Sequence, residues 1–119
     1  MREKFCEQIK EKIEALIPSA QVLHYKKGQI LFYEGHDPYG LYILKRGRVL
    51  FERGGAPVSS EKHFLSLKEG QAIHIQNMIR QSPYDCTCKA SIDCEFLFIS
   101  KGLWQHTFES YSLPLSVSH

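Results

Sequence analysis

A mainly β domain, a barrel or jelly roll with a short helix at either end, is the fold class this sequence predicts. Three observations carry that expectation. Eight β-rich runs fall between Ala20 and Ser100, each bounded by Gly, Pro, Asp or Ser. An amphipathic pattern precedes them and a second helical stretch follows. The 119 residues suffice for one buried core and leave no room for a second folded module.

The elements follow in order. Phe5, Ile9, Ile13, Leu16 and Ile17 recur at three-to-four spacing with charged residues between them, which predicts a helix over residues 1–18 that Pro18 stops. The runs QVLHY, QILFY, GLYILK, RVLFER, HFLSL, QAIHI, CTCKA and CEFLFIS then fill residues 19–100 as strands. Gly47 stands where the hairpin Lys45-Arg46-Gly47-Arg48 needs a positive φ. Gly54-Gly55-Ala56-Pro57 cannot continue a central strand, because Pro57 lacks a ladder donor. Glu34-Gly35-His36-Asp37-Pro38 makes another sharp connection. After Ser100, GLWQHTFESY predicts a final helix over residues 101–112, and Pro114 ends it. The chain is expected to be one domain over residues 1–119 that stands alone.

Composition narrows the function classes. Fifteen basic and thirteen acidic residues give a net charge of +2, and their scatter marks no dedicated nucleic-acid face. Lys45, Arg46, Arg48 and Arg53 gather on one hairpin and read as a solvated turn. No apolar run approaches a membrane span, and Met1 is followed by Arg2-Glu3-Lys4, so a cytoplasmic protein with no membrane partner is expected. In that compartment Cys6, Cys86, Cys88 and Cys94 are expected to be reduced thiols.

Enzymatic chemistry has little to rest on. His24, His36, His63, His74 and His106 are isolated, with no His-x-His motif and no legible nucleophile–base pair, so the expectation is a non-enzyme. Cys86 and Cys88 share one face of a strand, with Cys94 across a short turn and His74 a candidate neighbour. Such soft ligands can hold a metal. Cys-x-Cys without a second close pair is a weak signal, so small buried positions are the preferred reading, with no metal and no cofactor.

Two segments carry a resemblance. Lys27-Gly28-Gln29-Ile30-Leu31-Phe32-Tyr33-Glu34-Gly35, followed by Gly40-Leu41-Tyr42-Ile43-Leu44-Lys45-Arg46-Gly47-Arg48-Val49, resembles a cyclic nucleotide-binding domain of the catabolite activator and protein kinase A regulatory-subunit type. The likeness runs on through Leu67-Lys68-Glu69-Gly70 and the closing run from Asp93 to Ile99. It implies an eight-stranded jelly-roll β-barrel with a short N-terminal and a short C-terminal helix. Gly28, Gly35 and Gly47 would hold tight turns in such a fold rather than touch ligand.

The family's phosphate-binding cassette reads F-G-E, a short helix with A-L, then P-R-x-A-T. The resemblance sets Ile73 at the Phe, His74 at the Gly, Ile75 at the Glu, Asn77 and Met78 at A-L, Pro83 at the Pro and Tyr84 at the Arg. Cys86, Thr87 and Ala90 fall on the remaining small positions. The altered ligand positions are thus His74, Ile75, Tyr84, Cys86 and Thr87. A buried cyclic phosphate needs a cation, and a tyrosine hydroxyl cannot replace a guanidinium. Losing one partner of such a pair costs about 2–5 kcal/mol, or about 30-fold to several-thousand-fold in affinity. Ile75 would leave a ribose hydroxyl unpaired, and His74 is bulky where Gly lets the backbone approach.

The function expected is therefore a non-enzymatic regulatory or protein-interaction module that has lost cAMP and cGMP binding. His74, Ile75 and Tyr84 are expected to fill the cavity. The alternative is a sensor of another small molecule through the altered pocket, with Tyr84 and Thr87 lining it. Another protein is the expected partner, engaged through residues 76–83, the N-terminal helix and residues 103–111, with Met78, Trp104 and Phe108 as anchors. Self-association stays open. Nucleic acid is excluded as a partner because about eighteen residues follow Lys101, too few for a dimerisation helix and a helix-turn-helix.

Overall fold

The computed structural model describes residues 2–59 and 64–110, with side chains described for residues 7–59 and 64–107. Helix α1 (Arg2–Leu16) runs into a 3-10 turn (Ile17–Ser19) that carries Pro18. There follow β1 (Gln21–Tyr25), β2 (Ile30–Phe32), β3 (Gly40–Arg46), β4 (Val49–Arg53), β5 (Ala56–Val58), β6 (Phe64–Ser66) and β7 (Gln71–Ile73). Helix α2 (Ile75–Arg80), β8 (Thr87–Ala90), β9 (Cys94–Ser100) and α3 (Lys101–Ser110) complete the described chain.

The strands form two antiparallel sheets, one of five in the order β1-β9-β3-β7-β6 and one of four in the order β2-β8-β4-β5. Nine strands among the described residues, in two facing sheets rather than a closed barrel, refine the expected eight. The extra one is β5, whose Pro57 lacks a ladder donor and sits on an edge strand, where that loss is tolerated. The run QAIHI ends as a strand at Ile73, because His74 turns left-handed (φ 54°, ψ 45°) and starts α2. None of the described helices is long and apolar enough to cross a membrane.

Side-chain alternation along the five-stranded sheet builds a core on each of its faces. Leu41 and Ile43 of β3, Ala72 of β7, and Leu97 and Ile99 of β9 meet Ile9, Ile13 and Leu16 of α1, Met78 of α2 and Trp104 of α3. Their alternating neighbours Tyr42, Ile73, Cys94 and Phe96 face the smaller sheet and meet Leu31, Phe32, Val49, Phe51, Tyr84, Cys86, Cys88 and Ala90. The long β3–β9 pairing, in register from Gly40 opposite Ser100 to Leu44 opposite Phe96, holds both alternations in step. Met78 and Trp104, 1% and 4% exposed, are members of the helix-facing core and therefore not surface anchors. The side chain of Phe108 lies outside those described.

Gly28, Gly35 and Gly47 all take positive φ, as tight turns require. Gly47 is doubly fixed: its φ is 110°, and a Cβ there would stand 2.5 Å from Cys94 Sγ. Any side chain at this hairpin would therefore push β9 away from β3.

Candidate functional site

The altered positions fall at the end of the inter-sheet core where β7, α2 and the chain entering β8 converge. From Tyr84 to Ala90 burial alternates strictly: Tyr84, Cys86, Cys88 and Ala90 are buried, while Asp85 is exposed and Thr87 and Lys89 are half-buried. That alternation puts Tyr84 and Cys86 among the residues of the core.

Tyr84 lies flat on Phe32, with ring centroids 3.7 Å apart and planes 14° from parallel. Stacked pairs of this kind contribute about 0.5–1.5 kcal/mol beyond their buried area. The His74 ring meets Phe51 at 5.2 Å, Phe32 at 5.4 Å and Tyr84 at 5.9 Å. A left-handed backbone at a non-glycine residue costs about 1–2 kcal/mol, although His is among the residues that take it most readily. The ring's packing and hydrogen bonds offset that cost.

The hydrogen bonds also fix the state of the imidazole. Asn77 Nδ2 donates to the Pro83 carbonyl at 2.8 Å and reaches Ser82 Oγ at 3.3 Å, so Oδ1 is the Asn77 atom that faces His74 Nδ1, 2.9 Å away. Because that oxygen only accepts, Nδ1 carries the proton and Nε2 presents a lone pair. Cys86 Sγ sits 3.4 Å from Nε2 and donates its thiol hydrogen. Burial, and then the nearby Asp85 carboxylate, push the Cys86 thiol up to about 12, so it is neutral at physiological pH. Burial likewise raises Cys88 and the phenols of Tyr84 and Tyr42. Asp85 stands at the rim: its Oδ1 is 3.8 Å from His74 Nδ1 and its Oδ2 is 3.3 Å from Arg53 Nη2. Arg53 Nε also donates to the Asp85 carbonyl at 2.9 Å.

Three of the five sequence-predicted positions, His74, Tyr84 and Cys86, thus come together. The other two do not. Ile75 packs half-buried against the helix-facing core, because it begins α2 and that helix turns its apolar side to β3. It is not a filler of the inter-sheet space. Thr87 stands across β8 from Cys86 and Cys88, and its Oγ1 accepts the Glu34 backbone N–H at 3.0 Å. Cys94 is separate from the histidine and donates to the carbonyls of Ile92 and Arg48 at 3.2 and 3.3 Å. Cys86, Cys88 and Cys94 are free thiols. Asp85, Phe32 and Phe51 were not identified as site residues, and Asn77 was placed in the cassette without its role as the partner of His74. Asn77, three residues beyond His74, and the alternation around Asp85 were visible signals, whereas Phe32 and Phe51 arrive through long-range strand pairing.

The comparisons with known proteins agree with this architecture. The family described as "Cyclic nucleotide-binding domain" matches residues 22–111. HTH-type transcriptional regulator ArcR of Staphylococcus epidermidis is 23% identical over 90 residues, which are 76% of this chain and 39% of that protein. Catabolite Activator Protein of Thermus thermophilus superposes with a TM-score of 0.64 at 20% identity, over 87% of this chain and 48% of that one. A cyclic nucleotide-binding-like protein from Brucella abortus superposes with a TM-score of 0.63 at 22% identity, over 83% of this chain and 84% of that one. The chain thus spans under half of the length of the two regulators. This overturns the exclusion of nucleic acid, which was drawn from the few residues after Lys101: ArcR is an HTH-type transcriptional regulator of which the matched part is 39%. The expectation of a protein partner finds no support in these relatives.

Proposed function

The chain belongs to the cyclic nucleotide-binding domain family, and from that premise we propose that residues 1–119 make one regulatory, non-enzymatic domain that no longer takes cAMP or cGMP in the family's manner. The observation that carries this reading is the Phe32–Tyr84 stack, which fills with two rings the place where the resemblance sets the phosphate-binding arginine. No Arg or Lys is buried among the described residues. The cations on the nearby strands face outward and are paired, Lys89 with Glu52 at 3.3 Å and Arg53 with Asp85 at 3.3 Å. A cyclic phosphate entering here would be stripped of water with no cation to receive it, at a cost of about 2–5 kcal/mol relative to a site with its arginine. His74 supports the same reading, since its ring occupies space that a glycine would leave beside the backbone.

Regulation is the function that the names of the matched regulators support. Isothermal titration tests the proposal. With cAMP or cGMP the expected result is no saturable heat at micromolar ligand. Stoichiometric micromolar binding of either nucleotide would overturn it.

A further inference from the structure

We propose that His74 Nε2, Cys86 Sγ and an Asp85 carboxylate oxygen form a site for a divalent metal ion of zinc-like preference. This goes beyond the reading of the nucleotide pocket and does not rest on it.

Geometry comes first. One donor atom from each of His74, Asp85 and Cys86 lies within 4.8 Å of the other two. In a tetrahedral zinc site with Zn–N of about 2.0 Å and Zn–S of about 2.3 Å, the nitrogen and sulfur stand about 3.5 Å apart. His74 Nε2 and Cys86 Sγ are 3.4 Å apart, so the two buried ligands already hold the required separation. Asp85 completes the set by rotating an exposed carboxylate, which needs no movement of the core.

The surroundings then supply what such a site requires. Asn77 Oδ1 accepts the Nδ1 proton of His74 and is itself fixed by the Nδ2 bond to the Pro83 carbonyl, so Nε2 presents its lone pair toward Cys86. A metal-bound histidine is oriented by this kind of hydrogen bond on its other nitrogen. Arg53 reaches Asp85 Oδ2 at 3.3 Å while Oδ1 lies 3.8 Å from His74 Nδ1, so to join Nε2 and Cys86 Sγ the exposed carboxylate turns away from the Nδ1 edge of the ring. Imidazole, thiol and carboxylate together suit zinc better than the harder magnesium or calcium ions. Three protein ligands leave a fourth position for water on the exposed, Asp85 side.

The binding step balances simply. The sulfur–hydrogen bond of Cys86 breaks, a sulfur–metal bond forms with the same electron pair, and one proton leaves to solvent. No electron is transferred.

Cobalt(II) added to the purified 119-residue chain, after treatment with chelator and reductant, tests the proposal. The expected result is one equivalent bound, with a thiolate-to-cobalt charge-transfer band that zinc(II) bleaches. Cys86→Ser is expected to abolish the band, His74→Asn to weaken binding at least about tenfold while keeping a residue that accepts the left-handed backbone, and Cys88→Ser to leave the band in place. Asp85→Asn, a change at an exposed site that leaves the buried core untouched, is expected to weaken binding about tenfold. A wild-type chain without the band, a band that survives in Cys86→Ser, or affinity unchanged in Asp85→Asn would overturn the proposal.

Discussion

The two faces of the five-stranded sheet carry cores of different kinds. Toward the helices lie Ile9, Ile13, Leu16, Leu41, Ile43, Ala72, Leu97 and Ile99, with Met78 and Trp104, and none of these side chains titrates. Toward the second sheet lie three thiols and two phenols, with Phe32, Phe51 and Phe96 between them and His74 packed at one end. One core is held by apolar area, which has no direction. The other adds directed contacts, from the hydroxyl pair of Tyr25 and Tyr42 at 3.1 Å to the chain from Asn77 through His74 to Cys86. Tyr84, Cys86 and His74, positions that the resemblance sets in the family's cassette, belong to or pack on the directed core. A core that leaves polar atoms without partners is unstable, so a core that takes in a histidine and thiols must supply hydrogen bonds along with bulk.

The largest expected effect breaks this comparison at high pH. Burial raises Cys88 and the Tyr42 and Tyr84 phenols above their ordinary values of 9.0 and 10.0. A folded state that holds its protons more tightly than the unfolded chain loses stability as pH rises through that window, and keeps it in full below the unfolded values. The domain should therefore hold a constant urea midpoint up to about pH 9 and unfold completely as the inter-sheet groups are forced to ionise above it. Cys88→Ala should make the decline shallower by removing one of them. A midpoint unchanged between about pH 8 and about pH 11 would show that the directed core is no more titratable than its neighbour.

A smaller effect is expected of Asn77→Ala. It removes the acceptor of the His74 Nδ1 proton and leaves that donor buried, a loss of about 1–3 kcal/mol. Asp85 Oδ1, 3.8 Å from the same nitrogen, can turn in as a substitute acceptor and should hold the loss to the lower part of that range. Combining Asn77→Ala with Asp85→Ala should then cost more than the two single changes together, read from urea denaturation. Simple additivity would mean that the imidazole does not depend on this chain of partners.

Legibility followed the same division. The helix-facing core was legible on its α1 side, because Ile9, Ile13 and Leu16 repeat at helical spacing, whereas Met78 and Trp104 were expected at the surface and belong to it. Turn glycines were equally visible, since Gly28, Gly35 and Gly47 mark places that need positive φ. The site was legible in part. Tyr84 and Cys86 were identified, but Ile75 and Thr87 were assigned to a shared cavity that they do not line, because their placement depends on where β7 stops and which face of β8 turns inward. A single residue decides the first: His74 leaves the extended region and converts an expected strand end into a helix start. Strand β5 was missed for the opposite reason, since Pro57 argues against a central strand and is silent about an edge.

The smallest expected effect sharpens the comparison from the apolar side. Ile13 is fully buried between α1 and the five-stranded sheet, and Ile13→Val removes one methylene without adding a polar atom or a hydrogen-bond demand. The expected cost is about 0.5–1.5 kcal/mol, set by lost contact area and by how far α1 can settle toward β3 and β9. Because α1 packs on the sheet as a separate element, tied beyond its apolar contacts by an exposed bond from the Lys68 N–H to Glu14 Oε2 at 3.2 Å, it can still settle toward the sheet, and the cost should lie near the lower end. The change should also leave the alkaline decline untouched, since no titrating group belongs to this core. A loss well above 1.5 kcal/mol, or an altered pH profile in Ile13→Val measured by the same urea midpoints, would mean that the sheet transmits strain from one face to the other. The two cores would then act as a single unit.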